Sequence, residues 1–127
     1  MRYSLPIVGA RFRPPSEAIL RLLPLGFPLT LRREPSNKFD VNAIMVLIAD
    51  EAAFNALPSE ALANALEPFG KEPSDIVLPW HLGYIPREDA EGLAKIVDER
   101  LLSAWNARLG FAANGQPRAQ FILNEED

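Results

Sequence analysis

A chain of 127 residues, 48% hydrophobic and 24% charged, has the length and composition of one globular domain with a real core. It has no cysteine, which excludes disulfides, thiolate catalysis and cysteine-ligated zinc, and with a single histidine a protein-built metal site is not expected. The net charge of −4 argues against a nucleic-acid partner only until it is divided: residues 1–49 carry seven Arg and Lys against three acids, and residues 50–127 six against fourteen. A basic half beside an acidic half can make a local positive face on an acidic protein. Residues 1–6 lack the apolar core of a signal peptide, and no apolar run approaches the ~20 residues of a membrane span. The expectation is a soluble protein of the cytoplasm or another intracellular compartment, in one domain over residues 1–127.

In chain order, residues 7–13 read as a strand, with Val8, Ala10 and Phe12 on one face and Gly9, Arg11 and Arg13 on the other. Alternation gives Phe12 the place of a buried barrel aromatic and leaves Arg11 exposed. After Pro14-Pro15, residues 16–23 form a predicted short helix capped by Ser16. Residues 27–33 and 43–49 are the second and third strands; the third is apolar on both faces and is expected to be well covered. Residues 50–79 hold four of the twelve prolines and a helical stretch, 59–67, with Leu62, Ala65 and Leu66 in a stripe. This segment reads as an insertion between the third and fourth strands. Residues 80–85 form a short strand, and Pro86 then starts a helix with Glu88 and Asp89 in its first turn. Its core stripe is Ala90, Leu93, Ala94, Val97 and Leu101. Residues 102–111 and 118–123 make a hairpin around Asn114-Gly115, with Gln120, Ile122 and Asn124 on the face opposite Ala119 and Phe121. About six short strands with a few helices imply a mainly β fold, a small barrel or half-open barrel.

The most informative stretch is 31–44, LRREPSNKFDVNAI. A hairpin connection needs only Pro, Asn or Asp at fixed places, yet this one also carries Arg32, Arg33, Glu34, Lys38, Phe39 and Asp40. Cations suit phosphate, an aromatic face suits a base, and a carboxylate suits a terminal hydroxyl, so the set fits the end of a nucleic acid. Each residue also has a plainer role. Arg32 and Arg33 cannot face the same way in a strand, so one of them is expected to be structural. Glu34 can pair with a neighbouring arginine, and Asp40 can close an Asx turn onto Asn42. Asn37 and Asn42 read as turn-formers, with Asn37 also a candidate contact. Tyr84 alternates with Leu82 and is expected to present its hydroxyl. Arg87 at a helix start opposes the dipole, which an anion bound there would explain. His81 reads as structural, and Trp80 and Trp105 as core anchors.

Three blocks in this order resemble the HIRAN family, small β-rich modules found at the front of some SNF2-type helicases and as free-standing proteins. They are Val8-Gly9-Ala10-Arg11-Phe12, the 31–44 stretch, and His81-Leu82-Gly83-Tyr84-Ile85-Pro86-Arg87 with Ala90. The likeness runs from about Ile7 to Leu123, without the 50–79 segment. It implies a compact OB- or SH3-like barrel and, by the helicase-linked members, a grip on the 3′ end of single-stranded DNA in a DNA-repair setting. Matched by position, Arg11 and Phe12 would meet phosphate and base, and Phe39 and Asp40 would supply a ring and an acid near the terminal sugar hydroxyl. Tyr84 and Arg87 would add a polar ring and a cation, and Phe111 an aromatic from the last hairpin. Phe12 and Phe39 lack the phenol hydroxyl common at those places, which keeps stacking and removes a hydrogen bond. Arg11, Phe39, Asp40, Tyr84, Arg87 and Phe111 are expected to line one concave surface.

No Gly-x-Ser-x-Gly elbow, Walker loop or His-Glu-x-x-His motif is present. The ATP hydrolysis and zinc modules of helicase-linked relatives belong to other domains. The resulting expectation is a non-catalytic module without cofactor or metal that binds single-stranded DNA, with a helicase or nuclease as a possible protein partner. The rival is a protein-interaction or assembly module that keeps the fold without the nucleic-acid pocket; a metal-dependent nuclease is more distant.

Overall fold

The computed structural model describes residues 1–123; Asn124, which the alternation of the last strand reaches, lies outside the described residues. Six strands form one antiparallel sheet: β1 (Arg2–Pro6), β2 (Pro28–Arg33), β3 (Ile44–Ile48), β4 (Trp80–Tyr84), β5 (Ala104–Phe111) and β6 (Pro117–Ile122). Their order is β1-β6-β5-β2-β3-β4. Four helices accompany them, α1 (Ser16–Leu20), α2 (Glu51–Asn55), α3 (Ser59–Leu66) and α4 (Arg87–Glu99). The expected mainly β architecture is therefore present, with α2 and α3 between the third and fourth strands.

The first strand is not the one expected. Residues 2–6 form β1, pairing with β6 from Arg2↔Ile122 to Pro6↔Arg118, whereas Ala10–Phe12 is a single 3-10 turn. Gly9 is the reason: its φ of 81° leaves the extended region and turns the chain. Alternation projected past that glycine put Phe12 on the apolar side, but Phe12 is 75% exposed. Between β1 and the turn the chain changes partner. The Ile7 amide donates to Pro117 O of β6 at 3.1 Å, and Val8 then exchanges two hydrogen bonds with Tyr84 of β4, both 2.9 Å. β1, which the chain has just left, and β4 stand at opposite ends of the strand order, so this one bridge ties the sheet's edges together while the rest of the sheet stays open. The result is a half-open, OB-like barrel.

β3, Ile-Met-Val-Leu-Ile, is flanked by β2 and β4 and is buried at every position but Met45, as its two-sided apolar pattern implies. Inward residues of β2, β4, β5 and β6, among them Leu31, Leu82, Leu109 and Phe121, join Ala90, Leu93 and Val97 of α4 in the core. Phe54, Leu57, Leu62, Leu66 and Ile76 of the 50–79 segment belong to the same cluster. α3 packs on α1, and α1 on β4. Ser16 is not a side-chain cap; its buried hydroxyl accepts from Trp80 Nε1 at 3.0 Å and donates to His81 O at 3.2 Å, pinning α1 to β4. α4 ends at Glu99 rather than continuing to Leu101. The amides of Leu101 and Leu102 close back on Asp98 O and Val97 O, a Schellman pattern. Leu101 takes the left-handed position with φ 56° and is 93% exposed, so Leu102 packs against the core in its place.

A Cβ at Gly83 would stand 2.5 Å from Val8 O and 3.4 Å from Ile7 Cγ2, so the closing bridge needs glycine there. Gly83→Ala is expected to cost ~1–3 kcal/mol through overpacking, read as a lowered midpoint in urea or thermal unfolding. Gly92→Ala, facing open space on α4, serves as the control and should not lower it. A Gly83→Ala midpoint equal to wild type would show that the bridge yields without cost.

Candidate functional site

The Val8–Tyr84 bridge brings three chain segments together: the turn after Gly9, the loop between β2 and β3, and the junction of β4 with α4. The β2–β3 loop is held from outside by Arg33. Its guanidinium donates to both Asp98 carboxylate oxygens at 2.9 and 3.0 Å, to Ala43 O at 2.8 Å and to Val41 O at 3.0 Å. Arg33 is thus the structural member of the arginine pair, and Arg32 is exposed. Hydrogen bonding from Arg33 holds the Asp98 carboxyl below its ordinary pKa.

Inside the loop the organiser is Asn37. Its Oδ1 accepts from the amides of Phe39 and Asp40 at 2.8 and 3.0 Å, while its Nδ2 donates to Glu34 Oε1 at 2.7 Å and to the Tyr84 hydroxyl at 3.3 Å. The Tyr84 hydroxyl donates to the same Glu34 oxygen at 2.8 Å. Glu34 therefore pairs with a tyrosine and an asparagine, not with an arginine, and the Tyr84 hydroxyl is engaged instead of presented to solvent. Burial pushes the Glu34 pKa up, but the bonds from Asn37 and Tyr84, with His81 and Arg13 nearby, bring it below its ordinary value. Burial, and then the same carboxylate, raises that of Tyr84. Burial and then the Arg13 charge lower that of His81, whose Nε2 lies 2.9 Å from Gly83 O and whose ring meets the Tyr84 ring edge-on at 4.6 Å. Asp40 closes the expected Asx turn, its Oδ1 accepting from the Asn42 amide at 2.9 Å.

This bracing leaves Phe39 at the loop tip, 87% exposed. The structure distributes the expected residues over two concavities. One, of about 560 Å³, is lined by Gly9, Arg11, Phe12, Arg21 and Phe111 among others. In it the Arg11 guanidinium lies 4.7 Å from the centre of the Phe12 ring, at cation–π distance. The other, of about 270 Å³, is lined by Lys38, Phe39, Asp40, Arg87 and Glu91 among others. Tyr84 links the two: its ring is the group that a Cβ on Gly9 would approach, at 4.0 Å, and its hydroxyl bonds Asn37. Arg11, Phe12 and Phe111 thus come together, as do Phe39, Asp40 and Arg87, with Asn37 and Tyr84 in the bonded network that joins them.

Sequence reasoning did not single out Arg13 or the roles of Glu34 and His81. Arg13 donates to His81 O at 3.3 Å and shares a smaller concavity with Phe12, Trp80 and His81. These pairings span about fifty residues or more in the chain, and only the fold brings them together. Trp105 is buried and Trp80 half-buried against Ser16, as anchors should be. Among the described residues no cluster of His, Asp and Glu forms a metal site, and no helix is long and apolar enough to cross a membrane.

In comparison with known proteins, the family model described as "HIRAN domain" matches residues 2–123. No curated protein and no solved structure matches the chain.

The Glu34 carboxylate has a pKa lowered by folding, so its stabilising contribution is complete above its ordinary value of 4.5 and is lost as the pH falls through the lowered one. Glu34→Gln is expected to melt lower than wild type at neutral pH and to lose less stability on acidification below pH 4.5. The Arg33–Asp98 pair keeps part of the acid dependence in both proteins. Melting curves recorded from pH 7 to 3 check this, and equal pH slopes would remove Glu34 from the bracing network.

Proposed function

Because the chain belongs to the HIRAN domain family, a family of nucleic-acid-binding domains, we propose that it is a non-catalytic module that holds single-stranded DNA by its 3′ end. The observation that carries this reading is the exposure of two phenylalanine rings, Phe12 and Phe39, at 75% and 87%, each in a concavity with arginine. Rings that sit in water contribute nothing to the core, and a loop braced by Asn37 keeps one of them there. As stacking platforms for bases the same rings are worth ~1–3 kcal/mol each, and arginine beside them meets phosphate.

In this reading Arg11 and Arg87 contact phosphates, Phe12 and Phe39 stack bases, and Phe111 flanks the first concavity. Asp40 accepts a hydrogen bond from the terminal 3′ hydroxyl with the oxygen its Asx turn does not use. A carboxylate in a groove for internal phosphates is repulsive, so its place beside Phe39 favours a terminus, where no phosphate follows. Asn37 and Tyr84, whose polar atoms are already bonded within the protein, set the loop geometry. Any helicase or nuclease partner would act on the strand so held.

Asp40→Asn separates these roles, because asparagine keeps the Asx acceptor and removes the charge. The charged-acceptor bond exceeds a neutral one by ~1 kcal/mol, so binding to a free 3′-hydroxyl oligonucleotide should weaken about fivefold. Binding to a 3′-phosphorylated oligonucleotide should be unchanged or tighter, since a like-charge contact has gone. Fluorescence anisotropy with both oligonucleotides measures this. Equal loss on both, or no binding of either by wild type at low salt, would refute end capture.

A further inference from the structure

The charges are sorted by element. Among the described residues the six strands hold five arginines and no Asp or Glu, although the chain carries 17 acids and a net charge of −4. Arg33 is spent on the loop, but Arg2, Arg32, Arg108 and Arg118 all point to the outer face of the sheet. The register establishes this, since residues opposite one another in a ladder share a face. Ser4 pairs with Gln120 and Gln120 with Arg108. Asn106 pairs with Thr30 and Ala104 with Arg32, and Arg32 pairs in turn with Met45. Arg2 and Arg118 lie two residues from Ser4 and Gln120, hence on the same side. Across β1, β6, β5 and the end of β2 this face is open, with Arg2, Ser4, Gln120, Arg108, Asn106 and Arg32 all exposed. It closes toward β3, where Leu47 opposite Thr30 is buried and Asp50 shares a concavity with Arg108 and Asn106. It holds a concavity of about 670 Å³ between Arg2, Arg108, Gln120 and Ile122.

We propose that this outer sheet face is a second nucleic-acid site, one that takes the phosphate backbone of duplex DNA without reading sequence. Charge complementarity demands an anionic partner. Arginine interleaved with serine, asparagine, glutamine and threonine is a donor set for phosphate oxygens. A protein partner needs aromatic or large apolar anchors, and apart from Tyr84 at its border this face offers Ile122 and Met45. A single strand needs free rings for its bases. Tyr3 and Phe121 border the concavity, but they belong to the inner face, where they stack on each other at 4.9 Å and pack in the core. From Arg2 to Arg32 the sheet spans three strand spacings, roughly 14 Å, over which a duplex presents about eight charges. The face also runs into the proposed end site, because Met45 pairs with Arg32 on one side and Tyr84 on the other. DNA whose 3′ end is held beside Tyr84 can thus lay its duplex part across the sheet. The inference goes beyond end capture and does not need it, since a blunt duplex has no single-stranded end.

The test uses the whole chain and a short blunt duplex, with the triple variant Arg2→Ala/Arg32→Ala/Arg108→Ala and its Lys counterpart. Arg118 is left in place because it donates to Ser4 Oγ at 2.9 Å and Ser4 O at 2.6 Å. The Ala variant should lose roughly tenfold or more in duplex affinity at low salt. Its log–log salt slope should flatten by ~0.9 for each phosphate contact removed. The Lys variant should keep most of the affinity, and both should bind a short single-stranded oligonucleotide as wild type does. If the Ala variant melts lower, Arg2→Ala/Arg32→Ala replaces it, since among the described residues neither side chain makes a hydrogen bond or ion pair. Wild type that does not bind duplex, or Ala variants that bind it unchanged, would overturn the proposal. Competition by polyglutamate as strong as by duplex would overturn it too, in favour of an acidic protein partner.

Discussion

Two hydrogen bonds between Val8 and Tyr84, each 2.9 Å, decide what the rest of this fold can do. They join the chain leaving β1, at one end of the strand order, to β4 at the other. An open six-stranded sheet with two free edges becomes a half-open barrel, and edge strands that could template further pairing are partly satisfied. The approach is close enough to demand glycine at position 83. One residue after Val8, Gly9 turns the chain out of the sheet, which delivers Arg11 and Phe12 to the surface next to β4. Closure of the fold and assembly of the proposed site are therefore one event.

On the other side of Tyr84 the same economy holds. A loop carrying an exposed phenylalanine needs bracing that does not depend on that ring, and polar groups provide it. Arg33 clamps the loop to α4 through Asp98, and the Glu34–Asn37–Tyr84 bonds clamp it to β4. The carboxylate of Glu34 accepts from two neutral donors, which fix its position without cancelling its charge, and Arg13 lies near enough to favour the ionised form. Polar side chains secure the geometry, and the rings stay exposed. Among the described residues α1 to α4 carry eight of the fourteen acids and the strands carry none, which reconciles an acidic chain with a basic face.

Much of this was legible in the sequence where local pattern decides. β3 was visible as an uninterrupted apolar run, the last hairpin through Asn114-Gly115, and the face of α4 through the spacing of Ala90, Leu93, Ala94 and Val97. The Asx turn of Asp40 followed from its own side chain and the residues after it. β1 was missed although Tyr3 and Leu5 alternate with Arg2 and Ser4, because five residues ending in proline look like a frayed terminus. Phe12 was misplaced because alternation was carried through a glycine that ends it. Leu101 was misplaced for a related reason: helical spacing continued past the point where the backbone turns left-handed without the usual glycine. The roles of Glu34, His81 and Arg13 rest on contacts between distant segments, and no local period encodes them. Grouping of the expected site residues into two concavities is likewise set by the closing bridge.

The central claim is that the bridge at Tyr84 makes one binding surface out of the Gly9 turn and the β2–β3 loop. Backbone amide chemical shifts, followed during titration with a short single-stranded oligonucleotide bearing a free 3′ hydroxyl, test it most directly. The account predicts that Arg11, Phe12, Phe39, Asp40, Tyr84 and Arg87 shift together along a single binding curve. Shifts confined to one of the two concavities, two separate curves, or changes centred on α2 and α3 would contradict it.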